Sequence, residues 1–218
     1  MSTSRPYVIG VTGNIATGKS TVARMLEQLG AERIDADRVA HGLMRPGTEV
    51  HAAVVHTFGS YVLADDGQID RSRLGRIVFG DPEALAMLEA CVHPAVVAET
   101  LARIETCKAE VICIEAIKLL EAEMAQHCDS IWVVTCSRER QIERLTGKRH
   151  MTLSEAEHRI DVQPDPSLKL ARADVHIEND STLDQTWRQV LRAWNEIPGM
   201  TAVGLERPLP ETTSGDSV

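Results

Sequence analysis

Apolar positions along this chain fall into two periods. Tyr7-Val-Ile-Gly-Val-Thr12 is an unbroken apolar run rich in β-branched residues, the pattern of a strand buried on both faces of a parallel sheet. Glu110-Val-Ile-Cys-Ile114 and Ser130-Ile-Trp-Val-Val-Thr135 repeat it, and Glu32-Arg-Ile-Asp35 and Val175-His-Ile177 are shorter versions. Between these runs the period lengthens to that of a helix. Val22, Ala23, Met25, Leu26 and Leu29 mark one helix from Lys19 to Leu29, with Gly30 as its stop. A second helical segment, polar at its start, runs to Met44 before the turn Arg45-Pro-Gly-Thr48. Thr182 to Ile197 is amphipathic, with Leu183, Trp187, Val190, Leu191 and Trp194 on its inner face. Strands alternating with helices predict an α/β fold of three layers: an open parallel sheet with helices on both faces.

Two stretches depart from that alternation. Residues 46–94 are helical in pattern and read as an insertion. Asp81-Pro82 starts a helix as cap and first residue, Leu85, Leu88 and Val92 form its stripe, and His93-Pro94 is expected to break it. A further helix should then run to about Cys107. Residues 138–170 are helical and highly charged. The remaining segments, 1–45, 95–137 and 171–207, form the core, and the Pro-, Thr- and Ser-rich end at 208–218 reads as a disordered tail.

Composition narrows the function classes. At 218 residues the chain suits one substantial core with a small inserted unit. A formal net charge of −9 argues against general binding to nucleic acid or an anionic membrane. Any anionic substrate must therefore meet local basic clusters. No run approaches about 18 consecutive apolar residues, and the N-terminus carries no targeting pattern. Five cysteines without a C-x-x-C pair argue against a disulfide framework or a zinc site. The expected location is cytoplasmic, as a monomer or small homo-oligomer.

The sharpest motif follows the first strand. Gly13-Asn14-Ile15-Ala16-Thr17-Gly18-Lys19-Ser20 fits G-x-x-x-x-G-K-[ST], the phosphate-binding loop. Phosphates require several backbone N–H groups turned inward, and the positive end of the following helix adds to them. Gly13 and Gly18 permit the backbone to do this. Lys19 is placed to reach the β- and γ-phosphates, Ser20 to ligate Mg²⁺, and Thr21 to touch the α-phosphate. The N-K-x-D and D-x-x-G motifs of GTPases and the L-S-G-G-Q of transporter ATPases are absent. A small-molecule kinase using ATP remains. Asp35-Ala-Asp37 then supplies carboxylates beyond a strand end. Asp37 reads either as a helix cap or as the base that accepts an acceptor hydroxyl's proton. The basic cluster in Ser137–His150 contains Arg138, Arg140, Arg144, Lys148 and Arg149. It reads either as a solvated face or as cations closing over the phosphates.

The order of motifs resembles the dephospho-coenzyme A kinases. They are Ile9-Gly-Val-Thr-Gly13 with its loop, Ile34-Asp-Ala-Asp37, Pro46-Gly47, Phe58-Gly59, Asp70-Arg71, Leu88-Glu89, His93-Pro94, Gln141 with Arg144, Gln163, Ala173-Asp174 and Asn179. The resemblance covers about residues 7 to 197. It implies a P-loop core, a helical acceptor domain at 46–94 and a lid at 138–170. It further implies transfer of the γ-phosphoryl group of ATP to the 3′-hydroxyl of dephospho-coenzyme A, with Mg²⁺ assisting. Asp37 is then the catalytic base, supported by Asp35; Lys19 and Arg144 stabilise the transferring group; Arg149 adds to the nucleotide site; and His93 and Lys118 belong to the acceptor site. The alternatives are a kinase for another small hydroxyl acceptor and a catalytically silent nucleotide-binding protein. Two departures stand out. Asn14 and Ala16 occupy positions where glycine is usual, and Ile117-Lys118 replaces a proline step after the Val-Ile-Cys-Ile strand. Asn14, rather than Ala16, is expected to take the left-handed backbone.

Overall fold

The computed structural model describes residues 5–121 and 123–202, without the side chain of Lys148. The expected 208–218 tail therefore lies outside the described residues. Five strands form the sheet: β1 (Tyr7–Thr12), β2 (Glu32–Asp35), β3 (Val111–Glu115), β4 (Ser130–Thr135) and β5 (Val175–Glu178). They lie in the order β2-β3-β1-β4-β5 and every pair is parallel. The three central strands are apolar because both of their faces are covered; the edge strands β2 and β5 expose alternate residues.

On one face, α1 (Lys19–Gln28) and α9 (Leu183–Trp194) bury Val22, Leu26, Trp187 and Trp194 against Ile9, Val11, Trp132 and Ile177. On the other face, Val8, Ile34, Ile112, Ile114, Ile131 and Val133 meet α2 (Ala36–Leu43) and part of α5 (Pro82–Thr106). A third cluster lies away from the sheet. Val50 and Val54 of α3 (Glu49–Phe58), Leu74 of α4 (Arg71–Val78) and Val92 of α5 form its centre. This is the helical insertion expected from residues 46–94. The charged segment folds as α6 (Arg138–Arg149), α7 (Leu153–Asp161) and α8 (Pro166–Leu170).

Two expectations are corrected. His93-Pro94 does not break a helix: α5 runs unbroken for 25 residues with Pro94 inside it. Pro94 and Ala90 are both exposed, so the carbonyl that loses its intrahelical partner at the proline is open to water. The boundary placed between 94 and 95 lies within this helix. The second concerns apolar length. α5 is long and apolar enough to cross a membrane by length and composition. Here it packs against α2, α3 and α4 and supplies partly buried residues to two of the core clusters.

Asp81 caps α5 as its sequence position predicted, accepting from the N–H groups of Glu83 at 2.9 Å and Ala84 at 3.0 Å. Asp81→Ala leaves both donors without that acceptor. It should lower the stability measured by urea unfolding by about 1 kcal/mol.

Candidate active site

β1 is central, so the loop that follows it opens at the middle of the sheet's carboxyl edge, where ligands of open α/β sheets bind. The register brings the other site groups to the same edge. Glu115, the last residue of β3, pairs with Val11 on one side and with Asp35 on the other.

The loop's backbone is bent at Gly13 (φ 151°), Ala16 (φ 58°) and Gly18 (φ 99°). A Cβ at Gly13 would stand 2.2 Å from the Val134 carbonyl oxygen, and one at Gly18 would stand 1.9 Å from Asn179 Nδ2. Both positions thus require glycine for space as well as for backbone freedom. The left-handed residue without a glycine's freedom is Ala16, not Asn14. Asn14 instead donates from Nδ2 to the Pro164 carbonyl at 2.9 Å. Ile15 turns its side chain away from the loop mouth into a small cluster with Leu145 of α6 and Ala156 of α7.

The outer side of the loop is heavily bonded. Arg144 Nη1 donates to the carbonyls of Ala16 at 2.9 Å and Thr17 at 3.0 Å, and its Nη2 donates to the Asn179 carbonyl at 2.8 Å. Gln141 Nε2 donates to the Ile15 carbonyl at 2.7 Å, and Asn179 Nδ2 donates to the Thr17 carbonyl at 2.9 Å. Gln163 Oε1 accepts from the Ile15 N–H at 2.7 Å. Gln141 and Arg144 lie three apart on α6 and so share the face that meets the loop. The structure thus places Arg144 behind the loop. Arg140, its expected partner on that face, instead pairs with Glu143 at 2.7 Å.

Lys19 is buried and its Nζ donates to the Asn14 carbonyl at 3.0 Å. Burial pulls its ammonium down to about 8, opposed by the negative charges of Glu115 and Asp37, while Lys169 and Arg149 add to the lowering. Lys19, Asp37, Glu115 and Arg149 therefore feel one another's fields across one cleft. Asp37 stands in the first turn of α2, but it is Asp35 that caps this helix, accepting from the Arg38 N–H at 3.0 Å. That leaves the Asp37 carboxylate facing the cleft. Desolvation, then the negative charge of Asp35, holds its carboxyl above the ordinary range, with Glu115 adding to the rise and Lys19 opposing it.

Glu115 is an organising residue that the motif search did not place in the site's inner ring. Its Oε1 accepts from Ser20 Oγ at 2.5 Å, and its Oε2 accepts from Arg33 Nη2 at 2.7 Å. Thr21 follows on the first turn of α1. Lys118 pairs with Glu89 of α5, and His93 lies one turn further along that helix. Neither lines the main cavity of the helical insertion. The loop that lacks the proline step is held through its backbone: the Ile117 carbonyl accepts from Thr12 Oγ1 at 3.1 Å and from the buried Lys169 Nζ at 2.5 Å.

Comparison with known proteins places this geometry. The family model of dephospho-CoA kinase matches residues 7–185. The chain belongs to the dephospho-CoA kinase family. The dephospho-CoA kinase of Geobacter metallireducens is 44% identical over 192 residues, covering 87% of this chain and 96% of that one. The dephospho-CoA kinase of Carboxydothermus hydrogenoformans is 41% identical over 187 residues, covering 84% and 91%. Among solved structures, a Thermus thermophilus protein superposes with a TM-score of 0.77 at 29% identity, covering 87% of this chain and 96% of that one. The dephospho-CoA kinase of Campylobacter jejuni gives 0.63 at 28%, with the same coverage. A shikimate kinase from Bacteroides thetaiotaomicron reaches 0.51 at 12% identity, a likeness of fold. In this family member every loop position expected from the phosphate-binding motif is present and bent as that motif requires.

Two expected outcomes follow from the loop. Bound phosphate oxygens favour the charged form of Lys19, whose value in the free protein is about 8. ATP binding should therefore take up a proton at and above pH 8, and affinity should fall as pH rises through that value. Calorimetry in buffers of differing ionisation enthalpy reads the uptake, which Lys19→Ala should abolish. Ala16→Gly relieves a left-handed alanine. It should raise stability by up to about 1 kcal/mol in urea unfolding; a loss of stability would show that the methyl group's packing outweighs the backbone strain.

Proposed function

We propose that the protein transfers the γ-phosphoryl group of ATP to the 3′-hydroxyl of dephospho-CoA, giving CoA and ADP. Family membership identifies a kinase of this acceptor. The observation that carries the residue roles is the facing of the Asp37 carboxylate and the Lys19 ammonium across one cleft at the sheet's carboxyl edge.

The triphosphate lies against the loop 13–20 and the first turn of α1, whose free N–H groups and positive end favour it. Lys19 moves its charge from the Asn14 carbonyl onto the β- and γ-phosphate oxygens, and Arg149 adds positive field at the same place. Asp37 accepts the proton of the acceptor hydroxyl as that oxygen bonds to the γ-phosphorus. The bond from phosphorus to the β–γ bridging oxygen breaks, and its electron pair leaves with ADP. A raised carboxyl suits this base, since it strengthens proton affinity while leaving the group ionised near neutrality. Asp35 fixes the helix that carries Asp37. Arg144 acts through the loop, holding its carbonyls outward so that its N–H groups stay inward.

The donor set at Ser20 fits Mg²⁺. It consists of oxygens only, a hydroxyl 2.5 Å from the Glu115 carboxylate. A hard cation that keeps its waters and substrate phosphates needs few protein ligands. Ser20 would hold it, with Glu115 behind. When bound, it would offset charge on the β- and γ-phosphates. The setting we assign is the cytoplasm, which the five free thiols suit.

The reading is tested by ADP release with ATP, Mg²⁺ and a panel of acceptors: dephospho-CoA, adenosine, AMP, CMP and shikimate. Turnover confined to dephospho-CoA is expected; preference for another acceptor would overturn it. Asp37→Asn should lower kcat on the order of 100-fold or more and leave ATP affinity near its normal value. In the parent enzyme kcat/KM should fall as pH drops through the raised Asp37 value. Near-normal kcat in Asp37→Asn would remove Asp37 from the role of base.

A further inference from the structure

Beyond the phosphate loop, a cavity of about 340 Å³ opens between the end of α2, the face of α4 and α5. That size falls within the range of small-molecule sites. Its lining divides by chemistry. His41, Arg45 and Arg71 bring cationic groups; Leu74, Val78 and Leu88 bring apolar ones. His41 lies four residues after Asp37 on α2, so the two share a face, one turn apart. The fields of Asp35 and Arg71 both reach His41, so the cavity continues the carboxylate end of the cleft.

The guanidiniums have an unusual status. Arg33, Arg73, Arg103, Arg138 and Arg140 each pair with a carboxylate. Among the described residues, Arg45 and Arg71 have neither an ion pair nor a side-chain hydrogen bond. In a chain of net charge −9, two such cations beside one cavity mark a place prepared for an anion. The apolar half of the lining calls for a less polar extension of the same molecule.

We propose that this cavity is a second subsite for the acceptor, in which Arg71 and Arg45 bind its diphosphate and the Leu74, Val78 and Leu88 wall receives its pantetheine arm. The proposal rests on dephospho-CoA being the acceptor. It adds the basis of selectivity: adenosine alone can offer the same hydroxyl to Asp37 but has neither the diphosphate nor the arm.

The test uses the full-length enzyme with Arg71→Ala, Arg71→Lys and Gly75→Leu. Arg71 is exposed at the first position of α4, so its loss removes charge rather than core packing. Gly75 also lines the cavity, and a Cβ there would meet no atom within 4 Å. Leucine at this helical position favours the helix while filling the space. Arg71→Ala should raise KM for dephospho-CoA about tenfold or more, with kcat within about twofold and KM for ATP unchanged, because a charge-assisted phosphate contact is lost from ground and transition states alike. Arg71→Lys should recover part of that loss. Gly75→Leu should raise the same KM without lowering the melting temperature. An unchanged KM for dephospho-CoA in both Arg71→Ala and Gly75→Leu overturns the subsite. If the parent enzyme does not turn over dephospho-CoA at all, the functional reading fails, and the subsite fails with it.

Discussion

A loop that offers its N–H groups to phosphate must turn its carbonyl groups the other way, into protein. Buried carbonyls need donors. Here they come from three separate parts of the chain: Gln141 and Arg144 on α6, Asn179 after β5, and Lys19 from within the motif. Much of the architecture follows from meeting that demand. The segment 138–170 has to dock behind the loop, and β5 has to lie next to β4 so that Asn179 reaches Thr17. Asn179 is itself fixed by accepting from Thr186 Oγ1 of α9 at 2.9 Å.

The second organising feature is a compensated charge cluster in an acidic protein. Arg33 bridges toward both Glu115 and Asp35, the register partners on adjacent strands. Glu115 in turn engages Ser20. These links set carboxylates near Lys19 without letting them close directly on it; its printed hydrogen bond is to a carbonyl. The lysine is thus poised for an anion it does not yet hold, and Asp37 is left with more proton affinity than an exposed aspartate has.

The sheet was legible because strands buried on both faces carry unbroken apolar runs; β1 and β4 have the bounds that the pattern predicted. The phosphate loop was legible because its chemistry is local. What could not be read lies in contacts between distant segments. Gln141, Gln163 and Asn179 stood in the succession of motifs, yet nothing local in the sequence says that they hold a loop more than 120 residues away. The cap of α2 went to Asp35 instead of Asp37, a one-turn choice that tertiary position settles. Pro94 misled because a proline usually ends a helix, whereas an exposed position lets the helix continue. His41 and Arg45 carried no signal at all: a histidine and an arginine at a helix end are ordinary until a cavity forms beside them.

Ile15 ties these themes together. It belongs to the phosphate loop by sequence and to the cluster of Leu145 and Ala156 by packing. The charged helices are therefore riveted to the loop through one apolar peg. A swing of α6 and α7 drags the nucleotide cradle with it, so opening the site and softening its grip are a single mechanical event. Release of ADP is then helped by the same movement that admits the next nucleotide.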